Sequence, residues 1–280
     1  MGLVDFGARC ALGRLFPTYK LGKYISRGVF SRVWQVGRHI VRIKPIWRGT
    51  YRREARICAE IRRRLPARLR DKVPALLAFN TGLFSVSIHL GIPGQTFDMT
   101  RFLALDPARR HRFARELSVF LFDVHRGGAI TRPIFRLRLA RRIRLFRFAK
   151  KYGATLRRFA RMVRAGGRDA TGVVHGDLHP GQIIVDDDFR LAGVIDWDGA
   201  RLGRGETDLR RLENPLREML LGDWPIDRDA FNYYRLMVLR RQFKRIRARI
   251  LASGITRGRK AIENSPGIKA IEDEVRAMFR

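Results

Sequence analysis

The pattern of apolar and polar positions predicts a small sheet at the start of the chain. Between residues 18 and 45, short runs rich in β-branched and aromatic residues are separated by glycines, which is typical of antiparallel strands joined by turns. Residues 50–65 contain no Gly or Pro and end before a proline, which predicts a helix. Residues 73–90 return to strand character on either side of a turn at Asn80-Thr81-Gly82.

After the stretch GIPG at residues 91–94 the pattern becomes mainly helical. Residues 109–125 have apolar side chains at helical spacing, and residues 132–165 predict one or two arginine-rich helices. Residues 173–195 are the exception, because two strand-like runs there flank a turn of three aspartates. From Asp208 onward the chain is again mostly helical.

This order of elements predicts an α+β fold with two lobes. We expect an N-terminal extension over residues 1–17, a small antiparallel-sheet N-lobe over residues 18–93, and a larger, mainly helical C-lobe over residues 94–280. A chain of 280 residues is long enough for two such lobes, each with its own core.

Charge is the feature of the composition that most restricts the function. The chain has 59 Lys and Arg against 26 Asp and Glu, a formal net charge of +33, which favours an anionic partner such as a membrane surface or nucleic acid. The two signs are segregated along the chain. Residues 124–168 hold fifteen Lys or Arg and no acid, whereas residues 169–208 hold nine acids and three arginines. A basic protein that concentrates its carboxylates in forty residues is expected to use them there.

The cellular compartment is expected to be the cytoplasm. Two cysteines, Cys10 and Cys58, are too few for a disulfide framework. Asp5, Arg9 and Arg14 interrupt the apolar core that a signal peptide needs, and no apolar run reaches the ~18 residues of a membrane span. Peripheral contact with the inner membrane face stays open because of the basic segment.

The carboxylate-rich segment contains the candidate chemistry. Residues 174–185 read VHGDLHPGQIIV, and residues 195–198 read IDWD. Asp177 lies in a tight loop, Gln182 lies where the chain turns back into a strand, and Asp196 ends the next strand. Phosphoryl transfer from ATP needs oxygen ligands for magnesium and a carboxylate that orients the acceptor hydroxyl, and one hairpin could supply both.

These residues resemble a known family. The sequence HGD-x-HPG followed by IDWD resembles the signature of the aminoglycoside phosphotransferase and choline kinase-like family, whose fold is protein-kinase-like. The resemblance is strongest over residues 174–209 and extends more weakly from about Tyr19 to Leu209. It implies a phosphotransferase that moves the γ-phosphate of ATP, with Mg²⁺, to a hydroxyl group.

The resemblance also implies a role for individual positions. Asp177 would be the catalytic base and His175 would brace its loop, while Gln182 and Asp196 would bind magnesium and Asp208 would support the catalytic loop. The expected nucleotide-binding residues come from the first lobe: Gly28 and Ser31 near the phosphates, Arg42 as the phosphate-binding cation, Glu54 as its helix partner, and His89 to Gly91 as the hinge that hydrogen-bonds adenine.

The sequence departs from the family pattern at two of these positions. Gln182 stands where the family has a metal-binding asparagine, and its extra methylene displaces the oxygen. Arg42 replaces a lysine, with Lys44 on the same strand face two residues on. Arginine binds phosphate through a planar fork, so the two residues are not interchangeable.

The acceptor is expected to be a small molecule, lipid or glycan that is not strongly cationic, because acids are scarce outside the proposed metal site. One alternative is a nucleotide-binding pseudokinase. Another is a nucleic-acid-binding protein on a kinase-like fold, in which arginines interleaved with phenylalanines at residues 132–165 stack on bases. A solvated outer face is the plain interpretation of the same arginines.

Overall fold

The structure is a computed structural model that describes residues 10, 13, 23–27, 31–126, 172–223, 228–252 and 265–277. The predicted arginine-rich helices at 132–165, and with them the basic segment on which the expected membrane or nucleic-acid contact rested, lie outside these ranges, as does Gly28.

Ten strands and eight α-helices are present in the described ranges. The strands are β1 (Lys23–Arg27), β2 (Arg32–Val36), β3 (His39–Pro45), β4 (Leu77–Thr81), β5 (Phe84–Leu90), β6 (Gln95–Thr96), β7 (Gly172–Val174), β8 (Ile183–Val185), β9 (Leu191–Val194) and β10 (Arg201–Gly203). The helices are α1 (Arg52–Arg64), α2 (Ala67–Arg70), α3 (Met99–Ala104), α4 (Pro107–Arg126), α5 (Glu206–Leu209), α6 (Leu216–Asp223), α7 (Arg228–Ala252) and α8 (Pro266–Ala277). The expected strands, the first helix and the helix at 109–125 are therefore confirmed.

The first five strands form one antiparallel sheet in the order β1-β2-β3-β5-β4. Successive side chains of a strand point to opposite faces. Val41 and Ile43 of β3 therefore face a small apolar core, while Arg42 and Lys44 face the other way. That second face is covered by the start of α1, where the backbone N–H of Tyr51 donates to the Ser85 hydroxyl at 3.0 Å.

The next strand, β6, pairs with β8 instead of with this sheet. The change of partner falls between Leu90 and Gln95, beside the predicted lobe boundary, and Gly94 lies at the crossing with φ +128. A Cβ there would lie 2.2 Å from the Val185 carbonyl oxygen, so the close approach of the two segments requires glycine.

Helix α1 contributes to a different core from the one that its position in the chain suggests. Its buried residues Ile57, Cys58 and Ile61 belong to the large apolar cluster that also contains the buried face of α4 and strands β8 and β9. The five-stranded sheet keeps its own smaller cluster around Trp34. The helix is therefore packed against the elements that carry the acidic motif.

Helix α4 has the predicted buried face. All five apolar positions expected from the periodicity are buried: Phe113, Leu117, Phe120, Leu121 and Val124. The Asp106 side chain accepts a hydrogen bond from the Arg109 N–H at 2.8 Å, which satisfies a first-turn donor of the helix. Within the described ranges, no helix is long and apolar enough to cross a bilayer.

Four aromatic rings form the centre of the large core. Phe113 lies 5.2 Å from Phe97, 5.8 Å from Phe102 and 5.5 Å from Phe189, measured between ring centroids. Phe189 has a positive φ of 58°, which is unfavourable for a bulky side chain. Its burial in the aromatic cluster holds it in that conformation.

Replacing Phe113 with alanine is expected to destabilise the fold by about 3–5 kcal/mol, because a fully buried ring is lost and a cavity is left. Urea unfolding followed by tryptophan fluorescence measures the change. Val119→Ala on the exposed face of the same helix is the control, and it should alter the midpoint little. Equal effects of the two substitutions would contradict the assigned core.

Candidate active site

Strand β7 leads directly into the loop that carries His175, Gly176 and Asp177. Gly176 has φ +82, and a Cβ on it would lie 2.4 Å from the Gly199 carbonyl oxygen. Only glycine fits this conformation and this close approach. The backbone at Gly176 therefore lies directly against the turn that follows Asp196.

The buried carboxylate of Asp208 holds this loop. Its Oδ2 accepts the His175 N–H at 2.8 Å and its Oδ1 accepts the Gly176 N–H at 2.7 Å, while His125 Nε2 lies 2.9 Å from Oδ2. Burial alone would favour the protonated carboxyl, but the hydrogen bonds from His125 and the backbone outweigh it and lower the pKa of Asp208. An ionised aspartate thus fixes the backbone beside Asp177, and the catalytic role expected of this loop stays a prediction.

The ring of His175 links the loop to the strand end before Asp196. Its Nε2 lies 2.9 Å from the Ile195 carbonyl oxygen, which requires a proton on Nε2, and its ring centroid lies 4.6 Å from that of Trp197. Burial lowers the pKa of His175, so the ring is neutral near pH 7. This position fits the bracing role expected from the sequence, in which His175 acts through structure.

Gln182 and Asp196 lie side by side, as the hairpin predicted. The Ile195 N–H donates to the Gln182 carbonyl at 2.9 Å, and Gln182 Nε2 lies 3.4 Å from Asp196 Oδ2. Asp196 has left-handed backbone angles, φ 65° and ψ 58°, a strained conformation of the kind found at functional sites.

The two side chains could supply oxygen ligands to a magnesium ion after the Gln182 amide turns over, because in this structure its Nε2 and not its Oε1 contacts Asp196. Gln182 Oε1 is buried and has no hydrogen-bond partner among the described residues, so its acceptor capacity is unused. No group of three His, Cys, Asp or Glu converges anywhere in the described ranges. Magnesium suits such a sparse site, since it binds through one or two carboxylates and takes its other ligands from phosphates and water.

Arg42 connects the sheet to this pair. Its Nη1 donates to Glu54 Oε1 at 2.8 Å and its Nη2 to Asp196 Oδ1 at 3.3 Å. Burial by itself would lower the pKa of Arg42, but the Glu54 carboxylate raises it above the ordinary value, so the guanidinium stays charged. Burial raises the pKa of Glu54, and Arg42 opposes that shift. The predicted cation and its helix partner are thus in contact, and both adjoin the proposed metal pair.

Lys44 and Ser31 lie around the ring of Tyr51 in the same region. The Lys44 ammonium lies 4.1 Å from the centroid of the Tyr51 ring, and the Arg42 guanidinium lies 4.6 Å from it. Both cations therefore make cation–π contacts with Tyr51. Burial raises the pKa of Tyr51 to about 12, and Ser31 lies beside its hydroxyl. Burial lowers the pKa of Lys44, with Asp198 opposing the shift. Ser31 therefore lies in the same region as Arg42 and Lys44, and its expected contact with nucleotide phosphates stays a prediction.

The expected hinge, His89 to Gly91, lies at the end of β5. The Gly91 N–H donates to the Arg38 carbonyl at 2.8 Å, so in this structure it is already engaged within the protein. His89 is buried, its Nδ1 lies 3.0 Å from the Leu90 carbonyl oxygen, and burial lowers its pKa. The adenine contact expected of this stretch stays a prediction.

Asp177 itself is part-exposed and forms an ion pair. Its Oδ1 contacts Arg211 Nη1, and the side chains are 41% and 31% exposed respectively. Solvent and a small molecule can therefore reach the carboxylate. The structure brings Gln182, Asp196, Arg42 and Glu54 into direct contact, with Asp177 on the adjoining loop.

Three residues at the site were not identified from the sequence. His125, in the last turn of α4, contacts Asp208. Arg53 on α1 donates to the carbonyls of Asp198 and Ala200 at 2.7 Å each, and Arg211 pairs with Asp177. No sequence motif indicates these three residues, because each of their contacts joins segments that are distant in sequence. The clue for Arg211 was its position three residues after Asp208 in GETDLRRL.

This fold is shared with enzymes of known structure, and the likeness shows a protein-kinase-like architecture. The spectinomycin phosphotransferase APH(9)-Ia, solved with ADP and spectinomycin, aligns with a TM-score of 0.61 at 14% identity over 96% of this chain and 98% of that one. APH(2")-IIa, solved with gentamicin, aligns with a TM-score of 0.65 at 15% identity over 96% and 99%. APH(3'')-Id from Streptomyces rimosus aligns with a TM-score of 0.54 at 16% identity over 83% and 97%.

The family itself is shown by the sequence. The profile of the phosphotransferase enzyme family (APH) matches residues 21–230, three quarters of the chain, and the protein belongs to that family. A comparison with curated proteins gave no significant match.

Replacing Asp208 with asparagine is expected to loosen the loop that carries His175, Gly176 and Asp177. The amide keeps one acceptor oxygen but turns an NH₂ group toward a backbone N–H, and a lost hydrogen bond to a charged group costs about 1.5–3 kcal/mol. Urea unfolding measures the stability, and hydrogen exchange of the peptide around residues 173–178 measures the loop. Asp187→Asn, in an exposed turn, is the control. Unchanged exchange at His175 and Gly176 would show that Asp208 does not hold the loop.

Proposed function

We propose that the protein is an ATP-dependent phosphotransferase that moves the γ-phosphate to a hydroxyl group of a small molecule, lipid or glycan. The observation that carries the proposal is the contact of Arg42 with both Glu54 and Asp196, with the Asp196–Gln182 pair adjoining the loop of Asp177. Family membership supports the same reaction class. A cation, a sparse oxygen site and an accessible carboxylate are the three parts that phosphoryl transfer requires.

Arg42 would bind the phosphates that are not transferred. Its charge is secured by Glu54, and its planar fork can hold two oxygens at once. Asp196 and Gln182 would hold Mg²⁺, which on binding would neutralise phosphate charge and favour attack at phosphorus. Lys44 adds a second cation on the same strand face, 4.1 Å from the ring centroid that it shares with Arg42.

Asp177 would orient the acceptor hydroxyl and take its proton. In the transfer the acceptor oxygen forms a bond to the γ-phosphorus, and the bond from that phosphorus to the bridging oxygen breaks. ADP leaves with the bond's electrons, and the proton on the acceptor passes to the Asp177 carboxylate and then to solvent. Asp208 and His175 would keep that carboxylate in place through the contacts described above.

The acceptor is proposed to be neutral or anionic. The net charge of +33 disfavours a strongly cationic acceptor. The proposed acceptor therefore differs from gentamicin, the compound bound in the structure of APH(2")-IIa. The arginine-rich segment at 132–165, outside the described residues, supports a membrane-borne or otherwise anionic acceptor through its sequence charge alone.

Wild-type protein is expected to bind Mg-ATP and to turn it over in a manner that depends on Asp177. Asp177→Asn should leave Mg-ATP binding nearly intact and lower the rate by about 10²–10⁴-fold, the usual contribution of a catalytic base. Asp196→Ala should instead weaken the magnesium-dependent part of binding. Thermal melts with ATP, with and without magnesium, and an ADP-release assay measure these effects.

Two outcomes would count against this function. If millimolar ATP gives no magnesium-dependent shift of the melting temperature, the protein has no Mg-ATP site. Mg-ATP binding with a rate that Asp177→Asn leaves unchanged would favour a nucleotide-binding pseudokinase.

Gln182 is expected to serve as a metal ligand despite its length. Gln182→Asn moves the amide oxygen back by one methylene and should keep or raise the activity, whereas Gln182→Ala removes the oxygen and should lower both activity and magnesium affinity. Titrating magnesium at fixed ATP separates the two effects. Identical magnesium dependence in all three proteins would show that this amide binds no metal.

A further inference from the structure

A group of arginines surrounds the loop of Asp177. Arg210 Nη2 donates to the Gly176 carbonyl at 2.7 Å, and Arg201 Nη1 donates to the Gly199 carbonyl at 3.2 Å. Arg211 contacts Asp177 directly. We call Arg201, Arg210, Arg211 and Arg241 of α7 the arginine cluster.

These guanidinium groups are close enough to repel one another. The pKa of Arg210 is lowered to about 10, first by burial and then by the charges of Arg201, Arg211 and Arg241, with Asp208 opposing them. The Asp208 oxygens already accept two backbone N–H groups and contact His125. Among the described residues, Asp177 is the carboxylate that contacts Arg211 of the cluster.

The contact between Arg211 and Asp177 conflicts with the proposed role of the base. Arg211 occupies Oδ1, one of the two oxygens through which Asp177 would hold a hydroxyl. That contact uses one nitrogen of the Arg211 guanidinium. A guanidinium has five N–H donors and often binds a carboxylate or phosphate through two N–H groups at once. A second anion brought in by the acceptor would compete for Arg211 and leave Asp177 to the hydroxyl.

We propose that the acceptor carries a phosphate or carboxylate close to its reacting hydroxyl and that Arg211 binds this anionic group. This inference rests on the phosphotransferase function proposed above. Because Arg211 reaches Asp177 itself, the anion that it binds lies within a few bonds of the hydroxyl that Asp177 holds. An acceptor with ammonium groups at that distance would meet repulsion from the whole arginine cluster.

The test compares three matched probes: glucose, glucuronate and glucose 6-phosphate. Binding is measured by calorimetry on the full chain with the nucleotide site saturated by Mg-ADP, so that the anions cannot bind there. At least one anionic probe is expected to bind about tenfold to a hundredfold more tightly than glucose, the range of a charge-assisted hydrogen-bonded pair. The carboxylate and phosphate arms distinguish the two kinds of anion.

Three variants decide whether Arg211 is responsible. Arg211→Gln is expected to abolish the preference for anions, and Arg211→Lys to restore part of it. Arg63→Gln is the matched control, since it removes the same charge from the exposed end of α1 and should leave the preference unchanged. In ADP-release assays, Arg211→Gln should raise KM for the anionic acceptor, whereas Arg63→Gln should leave that KM unchanged.

The inference would be overturned if the three probes bound with equal affinity, or if none of them bound. An anion preference that survives in Arg211→Gln would overturn it as well. Neither result touches the proposed phosphotransfer, which is tested separately by the magnesium-dependent binding of ATP.

Discussion

The candidate site depends on one buried carboxylate. Asp208 accepts hydrogen bonds from the backbone N–H groups of His175 and Gly176, and it also contacts His125. These contacts fix the loop immediately before Asp177. A buried negative charge is costly unless it is well paired, and here the pairing comes from the backbone that must be held. The loop backbone therefore stabilises the Asp208 charge, and Asp208 holds the loop that positions Asp177.

From this loop a short series of contacts reaches the five-stranded sheet. The His175 ring holds the Ile195 carbonyl, Asp196 follows with a strained backbone, and Arg42 joins Asp196 to Glu54. Helix α1, which carries Glu54, packs into the same large core as the hairpin that carries Asp196. Arg42, the proposed nucleotide-binding cation, is thus positioned by the C-terminal core as well as by its own strand.

Much of this arrangement could be predicted from the sequence because it is local. The strands follow from β-branched runs between glycines, α4 from its periodicity, and the Gln182–Asp196 pair from the length of one hairpin. The remainder is non-local. Periodicity shows that α1 has a buried face but not which core receives it, and no spacing rule joins Arg211 to Asp177 or Arg38 to Gly91.

Each carboxylate of the site is engaged by a cation or by the backbone, and Gln182 Oε1 has no partner among the described residues. We propose that Asp196 and Gln182 hold magnesium and that Arg42 holds the nucleotide phosphates. A crystal structure with Mn²⁺ and a non-hydrolysable ATP analogue tests this most directly, because manganese gives an anomalous signal. The account predicts an anomalous peak about 2 Å from Asp196 and Gln182 Oε1, with the phosphates against Arg42. A nucleotide bound elsewhere, or a metal that touches neither residue, would contradict it.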